Sequence, residues 1–376
     1  MLVLGFPSLS FELLNTPLEQ LLIGGFSLWL GLWSGSLVYG FFRYGHMPFN
    51  PIPALLSSTV LKRAFSGEVG GVNSLAISPN GQTLAVGGSE ETIYVWNLDT
   101  GEELLTLEGH SGSIYSVAIS PDGQSLASGS EDQTIKIWNL DTGEELFTLE
   151  GHSQAVDCVV ISSDRQTLAS GSEDQTIKIW NLVTGEELRT LEGHLDAVLC
   201  LAISPDGQTL VSGSADKTIK IWNLQTGEVL HTLSGYESEV LSVAISSDGQ
   251  TLASGSGFLD GAIKIWNLQT GTLLQTLPGH SVSFFYGLGR QAASVDAIAF
   301  SPHGTILISG GSDRTIKTWN LSTGQLIRTL HGHSDFVSAV AISPDGQTLV
   351  SGGTNSDEAI MIWQLKGPSA IQNSLT

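Results

Sequence analysis

Histidine, serine and aspartate together make the proton relay of a nucleophilic hydrolase, and this chain carries them in sets. His110, Ser128 and Asp132 form one, His152, Ser170 and Asp174 the next, and His194, Ser212 and Asp216 a third. His333, Ser351 and Asp357 make a further set, and each of the four ends in a tryptophan: Trp138, Trp180, Trp222 and Trp363. The match to a catalytic triad is one of composition only. A constellation that returns with every repeat belongs to whatever builds the repeat, so a structural role is expected and no catalytic residue is assigned.

The elements that must position these residues recur at the same period. Trp96, Trp138, Trp180, Trp222, Trp266, Trp319 and Trp363 are separated by 42, 42, 42, 44, 53 and 44 residues. Within one unit, IYSVAIS (114–120) alternates as an inner strand and PDGQ (121–124) supplies turn chemistry. SLASGS and TIKIWNL are the second and third strands, and LFTLEG (146–151) is the outer one. A unit of four short strands cannot bury an apolar face alone, and stacking in a closed ring leaves only short, protected edges. After Trp363 the chain lacks an outer-strand pattern. TVLKRAFSG (59–67) fills that slot by spacing, so residues 58–66 are expected to complete the last unit.

The recurring text GHSxxVxSVAISPDGQTLASGSxDxTIKIWNLxTGE covers about four-fifths of the chain and resembles the WD-repeat β-propeller family. Its near-verbatim repetition is also similar to arrays common in cyanobacterial proteins. The resemblance implies an all-β, seven-bladed β-propeller of four-stranded antiparallel blades over 58–366, with a tail at 367–376. It also implies a tetrad in each blade, the imidazole bridging Asp and Ser and the indole N–H meeting the hydroxyl. Some repeats depart from it. The first has Glu68, Val86 and Glu90 in the His, Ser and Asp places and keeps only Trp96. The fifth has Tyr236 for His beside Ser254, Asp260 and Trp266. The sixth has His280, Ser309, Asp313 and Trp319, with an insertion after His280. Weaker local stability is expected in blades one and five.

The same resemblance implies partner binding on the top face, through loops on a rigid scaffold. At the positions concerned, blades two and three offer Tyr115, Glu131, Asp157 and Glu173, while blades four and five offer Leu199, Leu241 and Leu259; Phe336 serves the seventh. That asymmetry suits a partner segment with a basic and an aliphatic part, and drift of a generic surface is the competing explanation. The insertion SVSFFYGLGRQ (281–291) adds Phe284, Phe285 and Tyr286, which either fold back over blade five or dock on a protein or membrane.

Residues 21–42 form a different region, twenty-two without a charge. As a helix they span about 33 Å, matching a hydrocarbon core of about 30 Å. A transmembrane helix is expected at 21–43, after a short tail (1–20) and before a Pro-rich linker (44–57). A cleaved signal peptide and a buried or interfacial helix are the alternatives. Gly31 and Gly35 make a G-x-x-x-G step. Arg43, Lys62 and Arg63 all follow the segment, which puts the propeller on the cytoplasmic side, at a thylakoid or plasma membrane in a cyanobacterium.

The net charge of −22 lies almost wholly in the repeats. It repels phosphate backbones and argues against nucleic acid, leaving a solvated acidic rim or a surface for basic partners. Cys158 and Cys200 hold the same place in adjacent repeats and are expected as small core residues. No Cys/His metal spacing is present and no cofactor is expected. The function these readings support is a non-catalytic, membrane-tethered protein-interaction scaffold, an accessory or assembly subunit of a membrane protein complex. A ligand-sensing propeller is the alternative, and an enzyme would need a non-repeating channel cluster that Asp157, Glu173 and Asp296 alone do not make.

Overall fold

The structure, a computed structural model, describes residues 26–33, 36–43, 60–66, 70–283, 290–354 and 359–365. The chain divides into two units, Met1–Leu55 and Leu56–Thr376. The tails at 1–20 and 367–376, the linker at 44–57, Glu68, Phe284, Phe285, Tyr286 and Asp357 lie outside the described residues.

In the second unit seven antiparallel four-stranded sheets follow one another. The first comprises Val72–Ile77, Thr83–Gly88, Thr92–Asn97 and Glu103–Glu108; the second comprises Ile114–Ile119, Ser125–Ser130, Ile135–Asn139 and Glu145–Leu149. The inner strands of the others are Val156–Ile161, Val198–Ile203, Val240–Ile245, Val295–Phe300 and Val337–Ile342. Inner strands touch in sequence around a ring, and the seventh returns to the first. The seventh sheet takes Val60–Ser66 as its outer strand, with Val60 opposite Gln364 and Ser66 opposite Ala359. The unit is an all-β, seven-bladed propeller.

Local chemistry explains each blade. At the turn after the second inner strand, Ser120 Oγ donates to Asp122 (2.6 Å) and accepts from the Ser125 amide (2.9 Å). Asp122 accepts from Gln124 N–H, and Gly123 supplies the left-handed φ of +76°. The second strand of each blade is buried along nearly its whole length, because a neighbouring blade covers either face. It is therefore built from small residues. A Cβ on Gly129 would stand 2.8 Å from Val156 Cγ1, so only glycine lets the next blade seat. Gly87 receives Ile114 in the same way, and Gly352 receives Val72, which closes the circle. The core is accordingly divided into clusters between successive blades. Ala127, Ile135 and Leu149 of the second pack on Val156, Leu168 and Trp180 of the third. Val350, Ile360 and Ile362 of the seventh pack on Val72, Leu84 and Trp96 of the first.

The first unit overturns an expectation. Phe26–Trp33 and Ser36–Arg43 are two strands, paired antiparallel from Phe26 opposite Arg43 to Trp33 opposite Ser36. They are not a transmembrane helix. Among the described residues no helix is long and apolar enough to cross a membrane. The physical reason is in the composition: five glycines between 21 and 42 each cost a helix about 1 kcal/mol, whereas Trp, Phe, Tyr and Val suit a pleated sheet.

Candidate protein-interaction face

The histidine sets close as hydrogen-bonded chains. His110 lies 2.7 Å from Asp132 through Nδ1 and 2.8 Å from Ser128 Oγ through Nε2, and Trp138 Nε1 donates to Ser128 Oγ at 2.9 Å. The third blade repeats this with His152, Asp174 (2.9 Å), Ser170 (2.8 Å) and Trp180 (2.9 Å). The fourth does so with His194, Asp216 (2.8 Å), Ser212 (2.7 Å) and Trp222 (2.8 Å). In the sixth, His280 spans the insertion and reaches Asp313 (2.7 Å) and Ser309 (2.8 Å), which Trp319 also meets. In the seventh, His333 and Trp363 share Ser351 at 2.7 and 2.9 Å.

Burial first, only partly opposed by the aspartates, lowers the pKa of His110, His152, His194 and His280. Each imidazole is therefore neutral, donating Nδ1–H to Asp and accepting the seryl proton at Nε2. Burial also works to raise Asp132, but the Ser111 amide, the Thr134 hydroxyl and His110 outweigh it and hold the carboxyl at about 2. Ser128, Ser170, Ser212, Ser309 and Ser351 are wholly buried, and each hydroxyl already accepts an indole N–H. A substrate cannot reach them, so these sets present no nucleophile.

Blade five shows a different solution. Tyr236 OH takes the imidazole's place, 2.5 Å from Ser254 Oγ, and accepts Trp266 Nε1–H at 2.9 Å. Asp260 loses its imidazole partner and pairs with Lys264, whose Nζ sits 4.2 Å over the Tyr236 ring. The corresponding Lys136 and Lys178 point instead to Glu145 and Glu187, both at 2.8 Å, because the outer strands of blades two and three begin with Glu. Blade one has Val86 and Tyr94 there, with Tyr94 stacked on Trp96 at 5.7 Å.

Above these sets, one backbone hydrogen bond recurs in all seven blades and gathers the variable positions. Ser89, Glu131, Glu173, Ala215, Gly257, Ser312 and Thr354 donate their amides to the carbonyls of Gly71, Ser113, Ala155, Ala197, Glu239, Ser294 and Phe336, at 2.8–3.2 Å. Glu131 and Glu173 are exposed, while Tyr115 and Asp157 are half-buried beside them. Burial, then Glu131, Glu173 and Asp157, raise the Tyr115 pKa. Burial, then the charges of Glu173 and Asp174, push Asp157 up to about 7. Asp157 Oδ2 is buried without a hydrogen-bond partner, and so is Oδ2 of Asp296 at the same place in blade six. Burial and the charge of Asp313 push Asp296 up to about 6. Leu199 and Leu241 are half-buried at that place in blades four and five.

Counting back from the turn Asp assigns Leu259 to the recurring position of blade five, but the hydrogen bond gives that position to Gly257. The extra residues Phe258 and Leu259 are displaced outward, 52% and 70% exposed. Phe258 meets Phe336 of blade seven edge to face, centroids 6.2 Å apart. The long insertion is a ribbon at its base, His280–Ser283 paired with Arg290–Ala293. Cys158 and Cys200 are buried free thiols, each 3.5 Å from a carbonyl of the next blade. Among the described residues no cluster of His, Cys, Asp and Glu could hold a metal.

Comparison with known proteins agrees with this geometry. The family described as WD domain, G-beta repeat, matches residues 59–97, 271–320 and 324–364. The chain carries WD40 repeats. The family described as WDR3 first beta-propeller domain matches residues 91–258. Nuclear distribution protein PAC1 of Coprinopsis cinerea is 40% identical over 52 residues, 14% of this chain and 12% of that protein. Pre-mRNA-splicing factor prp46 of Emericella nidulans is 49% identical over 47 residues, 12% of this chain and 10% of that protein. Ribosome biogenesis protein erb1 of Botryotinia fuckeliana is 50% identical over 46 residues, 12% of this chain and 6% of that protein. The chain thus spans about a tenth of the length of the curated relatives it matches. WD40 propellers serve as protein-interaction scaffolds and are generally non-catalytic. The membrane location expected from the sequence is corrected: the segment meant to anchor the chain forms strands, and these relatives are named for splicing, ribosome biogenesis and nuclear distribution.

Proposed function

We propose that this propeller is a non-catalytic accessory or assembly subunit of a protein complex, taking a basic, extended segment of a partner at the top of blades two and three. The observation that carries the reading is the buried, unpartnered Oδ2 of Asp157 beside Glu173 and Tyr115. Removing a carboxylate from water without a partner costs about 1–3 kcal/mol or more, and an arriving guanidinium or ammonium would offset that cost. The relatives' names, from splicing to ribosome biogenesis, suit a partner inside a multi-protein, RNA-associated assembly whose basic segments the acidic ring attracts.

A cation beside Asp157 pulls its pKa back down, so binding near pH 7 releases a proton. The test is calorimetric titration of the full chain with a short Arg-Ala peptide, in two buffers of different ionisation heat. Expected are saturable binding, proton release, and affinity about tenfold lower in Asp157→Asn/Glu173→Gln. Overall charge attracts a basic peptide anywhere on the surface, so equal affinity of variant and parent would overturn this placement.

A further inference from the structure

Two departures from the repeat on the top face, the extra residues Phe258–Leu259 and the aromatic Phe336, are brought together by the structure. The Gly257 amide is tied to the Glu239 carbonyl (3.0 Å), which fixes where the extra residues leave the blade. On the far side, the Thr354 amide is tied to the Phe336 carbonyl (3.0 Å). From these fixed points Phe258 of blade five and Phe336 of blade seven reach past blade six and meet at 63°, each with much of its ring in water. Two aromatic rings held edge to face by loops from non-adjacent blades, with Leu259 70% exposed beside them, are not surplus core. All three side chains keep large exposed areas that a monomer gains nothing by showing.

We propose that Phe258, Leu259 and Phe336 seat one apolar side chain of a partner-protein segment flanked by Lys or Arg. The flanking charge follows from the loops around the seat. Among the residues whose side chains the structure describes, Glu237 and Glu239 are exposed on the approach to blade five and Asp335 precedes Phe336, against one exposed cation, Arg314, on the turn of blade six. The Glu239 carboxylate lies directly over Gly257, one residue from Phe258. An apolar anchor is thus met by rings and its basic neighbours by carboxylates, the arrangement of an interface hot spot with a polar rim. The proposal rests on the reading of the top face as a protein-binding surface but uses different blades from the Asp157 site.

The test selects a phage-displayed library of random peptides against the immobilised full chain and measures the enriched peptides by fluorescence anisotropy. Expected is a consensus with one Leu, Ile, Met or Phe next to Lys or Arg. Affinity should fall at least about tenfold in Phe258→Ser/Phe336→Ser and further in Phe258→Lys, which adds a repelling charge. Both positions are exposed, and an unchanged melting curve confirms that loss of binding is not loss of fold. Peptides that bind the serine variant as well as the parent, yet weaken in Asp157→Asn/Glu173→Gln, would overturn the seat and leave the acidic site standing. Peptides indifferent to both variants would overturn both. Absence of any enriched apolar anchor overturns the seat. So does a concentration-dependent dimer that Phe258→Ser abolishes, since the occupant would then be a second copy.

Discussion

Asp157 and Leu199 occupy the same place in consecutive blades, yet only the aspartate takes a charge partly out of water. Burial and the neighbouring Glu173 and Asp174 raise its folded pKa to about 7, above the unfolded value near 3.9. Above pH 7 the group is ionised in both states and the folded state carries the whole penalty. Below about pH 4 it is protonated in both and the penalty is gone. Asp157→Asn is therefore expected to stabilise the propeller at pH 8 by on the order of 2 kcal/mol, about half the full linkage value because the site is partly open to solvent. The gain should shrink between pH 7 and pH 4, read as the difference in melting temperature across that range. A gain independent of pH would mean that something other than its ionisation is at stake. The tetrad histidines work in the other direction: their pKa values are lowered, so acid destabilises the fold as pH falls through 6.5 and below. At this scale the sequence was informative where chemistry is local to one blade, as in His110, Ser128, Asp132 and Trp138. It was silent on the Phe258–Phe336 contact, which depends on how far two distant loops reach across the ring.

The turn is the element where one blade departs from its neighbours. Six blades place glycine at the left-handed position after the inner strand, from Gly81 (φ +74°) to Gly346 (φ +69°), whereas the third places Arg165 there at +62°. For a residue with a Cβ that conformation costs roughly 1–2 kcal/mol. Arg165 recovers part of it by an ion pair with Asp122 of blade two (2.7 Å), but its side chain is 56% exposed, and such pairs contribute about 0.2–1 kcal/mol. Arg165→Gly is thus expected to stabilise the protein by about 0.5 kcal/mol in low salt, and by more in high salt, where the lost pair was already screened. Chemical denaturation at two ionic strengths measures this, and a loss above about 1 kcal/mol would mean that the pair outweighs the strain. Elements were legible from the chain when a turn signal bounded an alternating run, as with PDGQ after IYSVAIS. The first unit departs from the expected helix because hydropathy and length do not separate a helix from a hairpin. Twenty-two uncharged residues give the same total either way, and the deciding terms are the five glycines and the aromatic residues, with Val38, of the two strands. In blade five, where weaker local stability is expected, Tyr236 keeps the bond to Ser254 and accepts Trp266 Nε1–H, while Asp260, without an imidazole, pairs with Lys264.

At the scale of the whole molecule, stability rests on closure. In an open stack each blade leans on its neighbours and the end blades fray; in this ring Gly352 of blade seven receives Val72 of blade one, so no blade is terminal. What holds the seam from outside is Val60–Ser66, whose ladder covers the Ala359–Gln364 edge. That edge carries Ile360, Ile362 and Trp363, each at most 5% exposed. Removing residues 1–66 uncovers a row of backbone donors and acceptors next to buried apolar side chains, a ready template for pairing with another chain. The loss is on the order of 5 kcal/mol, from about one net kilocalorie for each ladder bond plus the apolar area uncovered. The truncated chain is expected to melt about 10 °C lower and to aggregate on heating. Because what the propeller loses is one strand with a fixed register, a synthetic peptide of residues 58–67 should restore most of the melting temperature, whereas a scrambled peptide should not. An unchanged melting curve without the strand would mean that the contacts between blades one and seven close the ring unaided.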